Sequence, residues 1–236
     1  MKQKVIYKDL GLIEFGDAWD IQKKLASGTQ FIKADNLNLP GNYKTQHAHY
    51  LLFCEHPHVY TLGKSGTEGN LLVNTELLKQ KGATFYKIDR GGDITYHGPG
   101  QIVGYPIFNL QDFGIGVKQY VHQIEEAIIQ MLHSYNIQAS RLDGATGVWI
   151  DTHLPAKTRK ICAIGVKVSR AVTMHGFALN VNTDLSYFGF INPCGFTDKG
   201  VTSMETEMGV KIELQEVKKT LMHHLSRIFD FNYDIT

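Results

Sequence analysis

Cysteine is scarce in this chain. Its three cysteines, Cys54, Cys162 and Cys194, are odd in number, widely spaced and never arranged as C-x-x-C. This usage argues against a disulfide framework and favours a reducing compartment. His56 and His58 lie near Cys54, but no second cluster of cysteine and histidine completes a zinc site, so we expect no bound metal.

Long apolar runs and an excess of one charge are also missing. No segment approaches the roughly 20 apolar residues of a membrane span, and a net charge of +1 gives no field for nucleic acid. The first ten residues lack the apolar core of a signal peptide, which together with the cysteine usage predicts a cytoplasmic protein. Because no repeat or linker interrupts the sequence, we expect residues 1–236 to form one domain.

Three segments have the periodicity of amphipathic helices, namely residues 17–33, 117–135 and 214–228. A shorter helix is expected to begin at Thr202, which has capping-box spacing to Glu205, and to end at Gly209.

Seven segments between these helices are typical of β-strands, with short turns joining several of them. Pro106 interrupts one of these segments and indicates a sheet edge or a bulge there. Strands outnumber helices and do not alternate with them, which favours an α+β fold with a mixed, largely antiparallel sheet and packed helices. The expected strands are His49–Glu55, Val59–Leu62, 84–88, 101–110, 146–150, 160–168 and 173–181.

Residues 90–101 form a glycine-rich segment, RGGDITYHGPGQ, which is neither G-x-G-x-x-G nor a Walker loop. Its glycines allow the backbone to pass close to a ligand, and Arg90, Thr95, Tyr96 and His97 supply polar groups beside it. The alternative is a hairpin with tight turns, in which His97 is a hydrogen-bonded turn or core residue.

Cys194 lies between a proline and a glycine, a context typical of a shaped loop. Thirty-four residues upstream, Lys160 opens a strand-like segment. A cysteine takes up an acyl group efficiently only when its thiol is ionised to the thiolate, and a nearby ammonium favours that form. The alternatives are a buried packing cysteine and a solvated surface lysine. Lys157 and Arg159 crowd beside Lys160, so the residues alone do not choose among them.

Small residues alternate in two neighbouring strand-like segments. Ala163 and Gly165 lie in the first, and Gly176 and Ala178 lie in the second. If the two segments pair, these four residues would floor a narrow apolar groove suited to an alkyl chain. Ordinary sheet packing is the alternative interpretation.

Taken together, segments 90–101, 160–165, 175–182 and 192–195 resemble, in this order, the motifs of lipoyl(octanoyl) transferases. These enzymes belong to the larger group of biotin and lipoate protein ligases, and the resemblance extends over about residues 50–205. It implies a catalytic domain of that fold and an acyltransferase that needs no cofactor. The octanoyl donor would be octanoyl-acyl carrier protein. The acceptors would be lysines of the lipoyl domains of 2-oxoacid dehydrogenase complexes and of the glycine cleavage H protein.

The resemblance also implies roles for single residues. Cys194 would form the acyl thioester, Lys160 would be its partner, and Cys162 would be a packing residue. An ammonium at Lys160 would lower the thiol pKa from about 8.5, and neutral Lys160 would later take the proton of the attacking lysine. The acyl site would be lined by Arg90, Gly91, Gly92, Asp93, Ile94, Thr95, Tyr96, His97, Ala163, Ile164, Gly165, Gly176, Phe177 and Ala178.

Two points complete these expectations. His97 is expected to orient groups, since Lys160 suffices as the base, and His175 is a second histidine whose part in catalysis is open. Segment 151–159 is longer and more basic than the short turn usual in the family, which indicates either a surface hairpin extension or a contact with an acidic carrier protein.

Two other functions fit the same scaffold. An ATP-dependent lipoate or biotin ligase would activate a free acid and leave Cys194 idle, and the sequence has no obvious adenylate-binding pattern. A non-catalytic acyl- or lipoyl-binding regulator would not need both Lys160 and Cys194. Dependence on ATP separates the ligase from the transferase.

Overall fold

The structure is a computed structural model that describes residues 2–43, 45–192 and 199–235. The strands are β1 (Gln3–Leu12), β2 (His49–Glu55), β3 (Val59–Leu62), β4 (Thr84–Lys87), β5 (Ile94–His97), β6 (Gln101–Ile107), β7 (Ala139–Leu142), β8 (Ala145–Ile150), β9 (Arg159–Ser169), β10 (Val172–Asn180), β11 (Gly200–Val201) and β12 (Phe231–Ile235). The helices are α1 (Phe15–Asn36), α2 (Thr75–Gln80), α3 (Val117–Ser134), α4 (Met204–Met208) and α5 (Leu214–Phe229).

The main sheet has the strand order β12-β1-β2-β6-β10-β9-β8-β7, and the short β11 pairs with β9. The strands from β2 to β7 in this order pair antiparallel. In contrast, β1 pairs parallel with both of its neighbours. The expected α+β fold with a mixed, largely antiparallel sheet is therefore confirmed.

Helices cover both faces of this sheet, as the alternation along β2 shows. Leu51 and Phe53 point into the larger core cluster, which holds the apolar residues of α3 and α5. Leu52 and Cys54 point to the opposite face, where they pack with residues of α1. Side chains of successive residues in a strand point to opposite faces, so β2 is buried on both sides. No helix in the described part of the chain has the length and apolar character needed to cross a membrane.

A second sheet has the order β4-β3-β5 and carries the glycine-rich segment. Backbone hydrogen bonds attach this segment to its surroundings: Lys64 N donates to Arg90 O over 3.0 Å, and Gly91 N donates to Val166 O over 2.9 Å. The second bond joins the segment to β9 of the main sheet. The small sheet is thereby held against the strands that were expected to form the groove.

The three long helices expected from periodicity are confirmed, with ends that differ by a few residues. For the short helix α4, the start at Thr202 is wrong: Ser203 is the N-cap, and its side chain accepts a hydrogen bond from Thr206 N. The stop at Gly209 is confirmed, because Gly209 has the left-handed φ of 73° typical of a helix C-cap.

Pro106 does not lie at a sheet edge, since β6 lies between β2 and β10. The registered ladder between β6 and β10 ends at Gly104, before the proline. On the facing strand, His175 has a left-handed φ of 58°. The irregularity expected from the proline is therefore a break in the hydrogen-bond ladder between β6 and β10, inside the sheet. Proline has no N–H to donate, and at this break none is needed.

Candidate active site

A cavity of about 370 Å³ lies over β9 and β10. This volume is in the range of sites that hold small organic ligands. Most of its lining comes from β9 and β10, the glycine-rich segment, β8 with the turn before it, and residues 199–201. Further side chains of α1, of β6 and of segment 185–190 also line it. These parts are distant in sequence, so the cavity exists only in the folded chain.

The floor of the cavity is built from the small residues singled out in the sequence. Ala163 pairs with Ala178, and Gly165 pairs with Gly176. All four line the cavity, so the expected pairing is confirmed. A side chain at Gly176 would not fit, because its Cβ would lie 2.1 Å from the carbonyl oxygen of Gly104. Much of the floor is therefore backbone, which brings a ligand close to the strands.

Lys160 faces the cavity because of a bulge. Strict alternation would place Lys160 and Cys162 on the same face of β9. The register to β8 shifts between them: Cys162 lies opposite Val148, whereas Lys160 lies opposite the next residue, Trp149. Cys162 consequently packs in the core, while Lys160 lines the cavity. Bulges commonly re-aim side chains in this way.

The Lys160 side chain rests on Trp149 and Gly147. Its ammonium nitrogen lies 4.5 Å from the centroid of the Trp149 ring, a cation–π contact. Gly147 has a φ of 123°, and a Cβ there would lie 2.6 Å from the carbonyl oxygen of Cys162. The N–H of Gly147 donates to buried Glu125 over 3.0 Å, and Glu125 also accepts from Arg141. The buried carboxylate of Glu125 thus holds the part of β8 that lies against the bulge.

The glycine-rich segment forms part of the cavity wall, with Arg90 at its base. The guanidinium is buried and donates to Thr61 O over 2.7 Å and to Thr61 Oγ1 over 3.0 Å. Six of the eight residues expected from this segment line the cavity: Arg90, Gly92, Asp93, Ile94, Thr95 and His97. Of the residues expected from β9 and β10, Ala163, Ile164, Gly165, Gly176, Phe177 and Ala178 all line it.

Tyr96 requires a correction, because it does not line the cavity. It is fully buried in the apolar cluster of the small sheet, where its hydroxyl hydrogen-bonds His58 Nδ1 over 2.7 Å. Thr95 and His97 flank it on β5, and alternation points Tyr96 to the opposite face. Gly91 also stays outside the lining, since its role is the backbone bond to Val166.

The cavity holds two neutral histidines. His97 donates from Nδ1 to Gln101 Oε1 over 2.8 Å, and burial lowers its pKa to about 3. Burial likewise lowers the pKa of His175 to about 4. A histidine with so low a pKa remains uncharged at neutral pH, and the hydrogen bond to Gln101 fixes the orientation of the His97 ring.

Cys194 lies outside the described residues, as do its neighbours Pro193 and Gly195. Immediately before these residues in the sequence, Asn192 N donates to Asn70 O over 2.8 Å. After them, Lys199 lines the cavity, and Val201 pairs with Lys160.

The other two cysteines are both fully buried. Burial raises the pKa of the Cys54 and Cys162 thiols far above the ordinary value. Cys162 belongs to the core cluster over α3 and α5, in keeping with the packing role that the resemblance implies.

Sequence reasoning missed several cavity residues. Trp149 lay in an expected strand, but nothing local marked it as the partner of a lysine. Lys199 follows the cysteine motif, and a second cation at that position was the available signal. Phe15, Gln101, Val103, Tyr105, Asn180 and Phe188 also line the cavity without having been singled out for it.

One group of metal-type donors occurs in the described part of the chain, away from the cavity. It consists of His47, His49 and Asp112. Asn109 N donates to His49 Nδ1 over 3.3 Å, which places the proton of this neutral ring on Nε2, the nitrogen that faces Asp112. Hydrogen bonds therefore account for this cluster, and the absence of a metal from the protein stays a prediction.

The fold and the sequence agree on the class of protein. Residues 35–226 match the family described as lipoyl protein ligase A/B catalytic domain. The structure superimposes on lipoate-protein ligase A bound with ATP with a TM-score of 0.67 at 16% identity, covering 100% of this chain and 89% of that one. A bi-partite lipoate protein ligase from Thermoplasma acidophilum gives a TM-score of 0.68 at 15% identity, with 100% and 87% covered. Because these sequence identities are low, the structural similarity is evidence for a shared fold alone.

Curated relatives narrow the assignment. An octanoyltransferase of Cytophaga hutchinsonii is 51% identical over 234 residues, which cover 99% of this chain and 96% of that protein. An octanoyltransferase of Parabacteroides distasonis is 52% identical over 223 residues, covering 94% and 97%. The chain therefore belongs to the octanoyltransferases, a family of acyltransferases within the lipoyl protein ligase A/B group.

Proposed function

We propose that this chain moves an octanoyl group from octanoyl-acyl carrier protein to a lysine of a lipoyl domain, with Cys194 as the acyl carrier and Lys160 as its partner. The observation that supports this most is the position of Lys160: its ammonium lies against Trp149 beside a cavity floored by Ala163 and Gly165. A cation beside a narrow apolar cavity suits a thioester whose reacting end is polar and whose tail is an alkyl chain.

The first half-reaction is thioester exchange. The Cys194 thiolate attacks the acyl carbonyl and forms a new carbon–sulfur bond, and the bond to the carrier sulfur breaks. The leaving carrier thiolate takes the proton of the Lys160 ammonium, which leaves Lys160 neutral. Because one thioester replaces another, the step needs no ATP. Backbone N–H groups near Gly195 or in the glycine-rich segment would stabilise the oxyanion. The ammonium of Lys160 favours the attacking thiolate, and the electron-rich face of Trp149 favours that ammonium.

In the second half-reaction, the ε-amine of the acceptor lysine attacks the acyl-enzyme. A carbon–nitrogen bond forms, the bond to Cys194 sulfur breaks, and the thiolate leaves. Lys160, now neutral, takes the proton that the attacking nitrogen loses. Burial lowers the pKa of His97 to about 3, which makes its ring a weak base, so His97 acts by orienting groups and is itself oriented by its bond to Gln101.

The partners follow from this chemistry. The donor is octanoyl-acyl carrier protein, and the acceptors are lipoyl domains of 2-oxoacid dehydrogenase complexes and the glycine cleavage H protein. Residues 151–158 of segment 151–159 connect β8 to β9, and residues 153–157 are exposed, which supports a surface hairpin extension that an acidic carrier protein can contact. We place the reaction in the cytoplasm, where free thiols such as Cys54 and Cys162 persist.

An ATP-dependent lipoate ligase is the second candidate. The fold shared with lipoate-protein ligase A supports it. Against it, the relatives at about half identity over nearly the whole chain are octanoyltransferases. ATP dependence decides between the two: the ligase needs free octanoate and ATP, whereas the transferase needs a thioester donor alone.

Intact-protein mass tests the proposal. The full chain is mixed with octanoyl-acyl carrier protein without ATP, and an apo lipoyl domain is added afterwards. We expect one octanoyl adduct on the chain, located by peptide mapping at Cys194, which disappears as the lipoyl domain gains the same mass.

Three controls sharpen this result. Cys194→Ser should form no thioester adduct that discharges to the lipoyl domain, whereas Cys162→Ala should form it as the wild-type chain does. Acylation that appears only with ATP and free octanoate would replace the transferase with the ligase. Absence of acylation under both conditions would leave an acyl-binding regulator.

A further inference from the structure

The far end of the cavity is closed by His175. On the floor, Ala163 pairs with Ala178, Gly165 with Gly176, and the next pair is Val166 with His175. Lys160 precedes this series on β9, so His175 lies at the opposite end of the floor from Lys160. His175 lines the cavity and is 2% exposed.

The length of the floor matches an eight-carbon chain. Ala163 and Val166 are three residue steps apart, which corresponds to about 10 Å along a strand. An extended octanoyl chain, with C–C bonds of about 1.5 Å, spans about 9 Å. If its carbonyl lies at the level of Ala163, which is on the Lys160 side of the floor, its terminal methyl reaches the level of the pair Val166 and His175. Two further carbons would have to occupy the place of the imidazole ring.

Contacts with α1 keep the His175 side chain from moving away from the cavity. Its backbone N–H donates to Oε1 of fully buried Gln22 on α1 over 2.9 Å. Its φ of 58° is unusual for a residue with a side chain. The ring lies 6.3 Å, centroid to centroid, from that of Trp19, also on α1. Helix and strand together fix the position of this side chain.

The atoms behind the ring are polar. His175 Nε2 lies 3.5 Å from Asp89 Oδ1, and within the described residues neither atom makes a hydrogen bond. The other carboxylate oxygen, Oδ2, is held by the ammonium of Lys167. An alkyl chain that pushed past the ring would meet these buried polar atoms and gain no apolar contact.

We propose that His175, backed by Asp89, is the stop that sets the acyl-chain length and limits the enzyme to about eight carbons. This inference rests on the proposed function, because the cavity must be the acyl site. It assigns His175 to substrate selection and leaves the transfer chemistry with Cys194 and Lys160.

His175→Gly tests the stop. Glycine adopts a left-handed φ without strain, so the backbone is kept while the ring is removed. The rate of acyl-enzyme formation is measured by intact mass with hexanoyl, octanoyl, decanoyl and dodecanoyl carrier protein at equal concentration. For the variant, we expect the ratio of decanoyl to octanoyl rates to rise roughly tenfold over wild type, as two more buried methylenes predict. His175→Asn, also tolerant of left-handed φ, should shift the ratio in the same direction by less.

The matched control is Asn136→Gly, which makes the same kind of change at an exposed left-handed residue with φ of 59° after α3. It should keep the wild-type chain-length profile. A profile that is unchanged in a folded His175 variant overturns the stop, as does a wild-type chain that uses dodecanoyl as readily as octanoyl. Wild-type enzyme that forms no adduct with any donor would instead refute the proposed function.

Discussion

Arg159 grips Glu207 with two parallel hydrogen bonds, from Nε to Oε1 over 2.7 Å and from Nη2 to Oε2 over 2.6 Å. Its third donor group reaches Asp151 Oδ2 over 2.5 Å. Glu207 lies on α4, which follows β11, while Arg159 immediately precedes Lys160 on β9. This bidentate ion pair, the Arg159 fork, therefore holds α4 against β9. Helix α4 follows the cysteine motif in the sequence, and β9 carries Lys160.

The first prediction concerns this fork. Arg159→Lys keeps the charge but loses the bidentate geometry, and we expect it to lower both the free energy of unfolding and the rate of octanoyl transfer. In a double-mutant cycle of Arg159→Met with Glu207→Gln, urea unfolding at pH 7 should give a coupling of about 1–2 kcal/mol. The guanidinium lowers the pKa of Glu207, so this coupling should be present at neutral pH. It should be fully present above about 4.3, the ordinary pKa of a glutamate in an unfolded chain, and be lost as pH falls through the lower pKa of Glu207 in the folded state.

The exposed pair of Lys219 and Glu216 on α5 is the control for that cycle. Its side chains are 71% and 63% exposed, so its coupling should stay below about 0.5 kcal/mol. Equal couplings for the two pairs would mean that the Arg159 fork contributes no more than an ordinary surface ion pair.

The second prediction is that Lys160→Ala raises the pKa of the Cys194 thiol and slows both half-reactions. The ammonium favours the thiolate, and its removal takes that stabilisation away. The measurement is the rate of alkylation against pH, read on Cys194 by peptide mapping. Cys54 and Cys162 are fully buried in the native chain and should not react under the same conditions. An identical pH profile in Lys160→Ala would disprove the pairing of ammonium and thiolate.

The third prediction separates the cysteines. Cys162→Ala should keep octanoyl transfer within about twofold of wild type and cost about 1 kcal/mol of stability, because it removes one small buried group from the core. Thermal unfolding and the transfer assay check the two parts. Complete loss of transfer in a folded Cys162→Ala protein would mean that the wrong cysteine has been assigned.

The fourth prediction concerns acid stability. Burial lowers the pKa of His56 to about 4, against about 6.5 in an unfolded chain. Between these values the unfolded state binds a proton that the folded state does not, so stability falls as pH falls from about 6.5 to 4. His56→Gln should therefore reduce the slope of unfolding free energy against pH by about 1.4 kcal/mol per pH unit in this window.

Urea unfolding at a series of pH values measures that slope. His153→Gln is the comparison, because an exposed side chain meets the same solvent in the folded and unfolded states. A wild-type slope retained in His56→Gln would show that other groups carry the acid sensitivity.

The hairpin of β9 and β10 was readable from sequence because its determinants are local. Small residues alternate along both strands, and the turn at Arg170 and Ala171 has left-handed φ values of 50° and 64°, as a tight two-residue hairpin turn requires. Turn and alternation together fix the register that pairs Gly165 with Gly176. The sequence predicted the groove on the condition that the two segments pair, and the structure supplies that pairing.

Two other features were beyond local reasoning. Val5 is the one buried residue of strand β1, so this strand has no strong periodic signal. Its partner β12 lies at the other end of the chain, where local reasoning does not reach. The direction of Lys160 depends on the register shift against Trp149. A shift of this kind arises between strands, and single-strand alternation does not reveal it.

The paired glycines of the floor have a consequence for how the site can evolve. Most binding pockets change their selectivity by exchanging or rotating side chains. Where Gly165 pairs with Gly176, the floor consists of backbone alone, which has no rotamers to adjust. Adaptation to a different acyl group is therefore confined to the walls and the ends of the cavity. The floor therefore stays constant, and a few side chains around it, such as Trp149 and His175, determine which ligand fits the cavity.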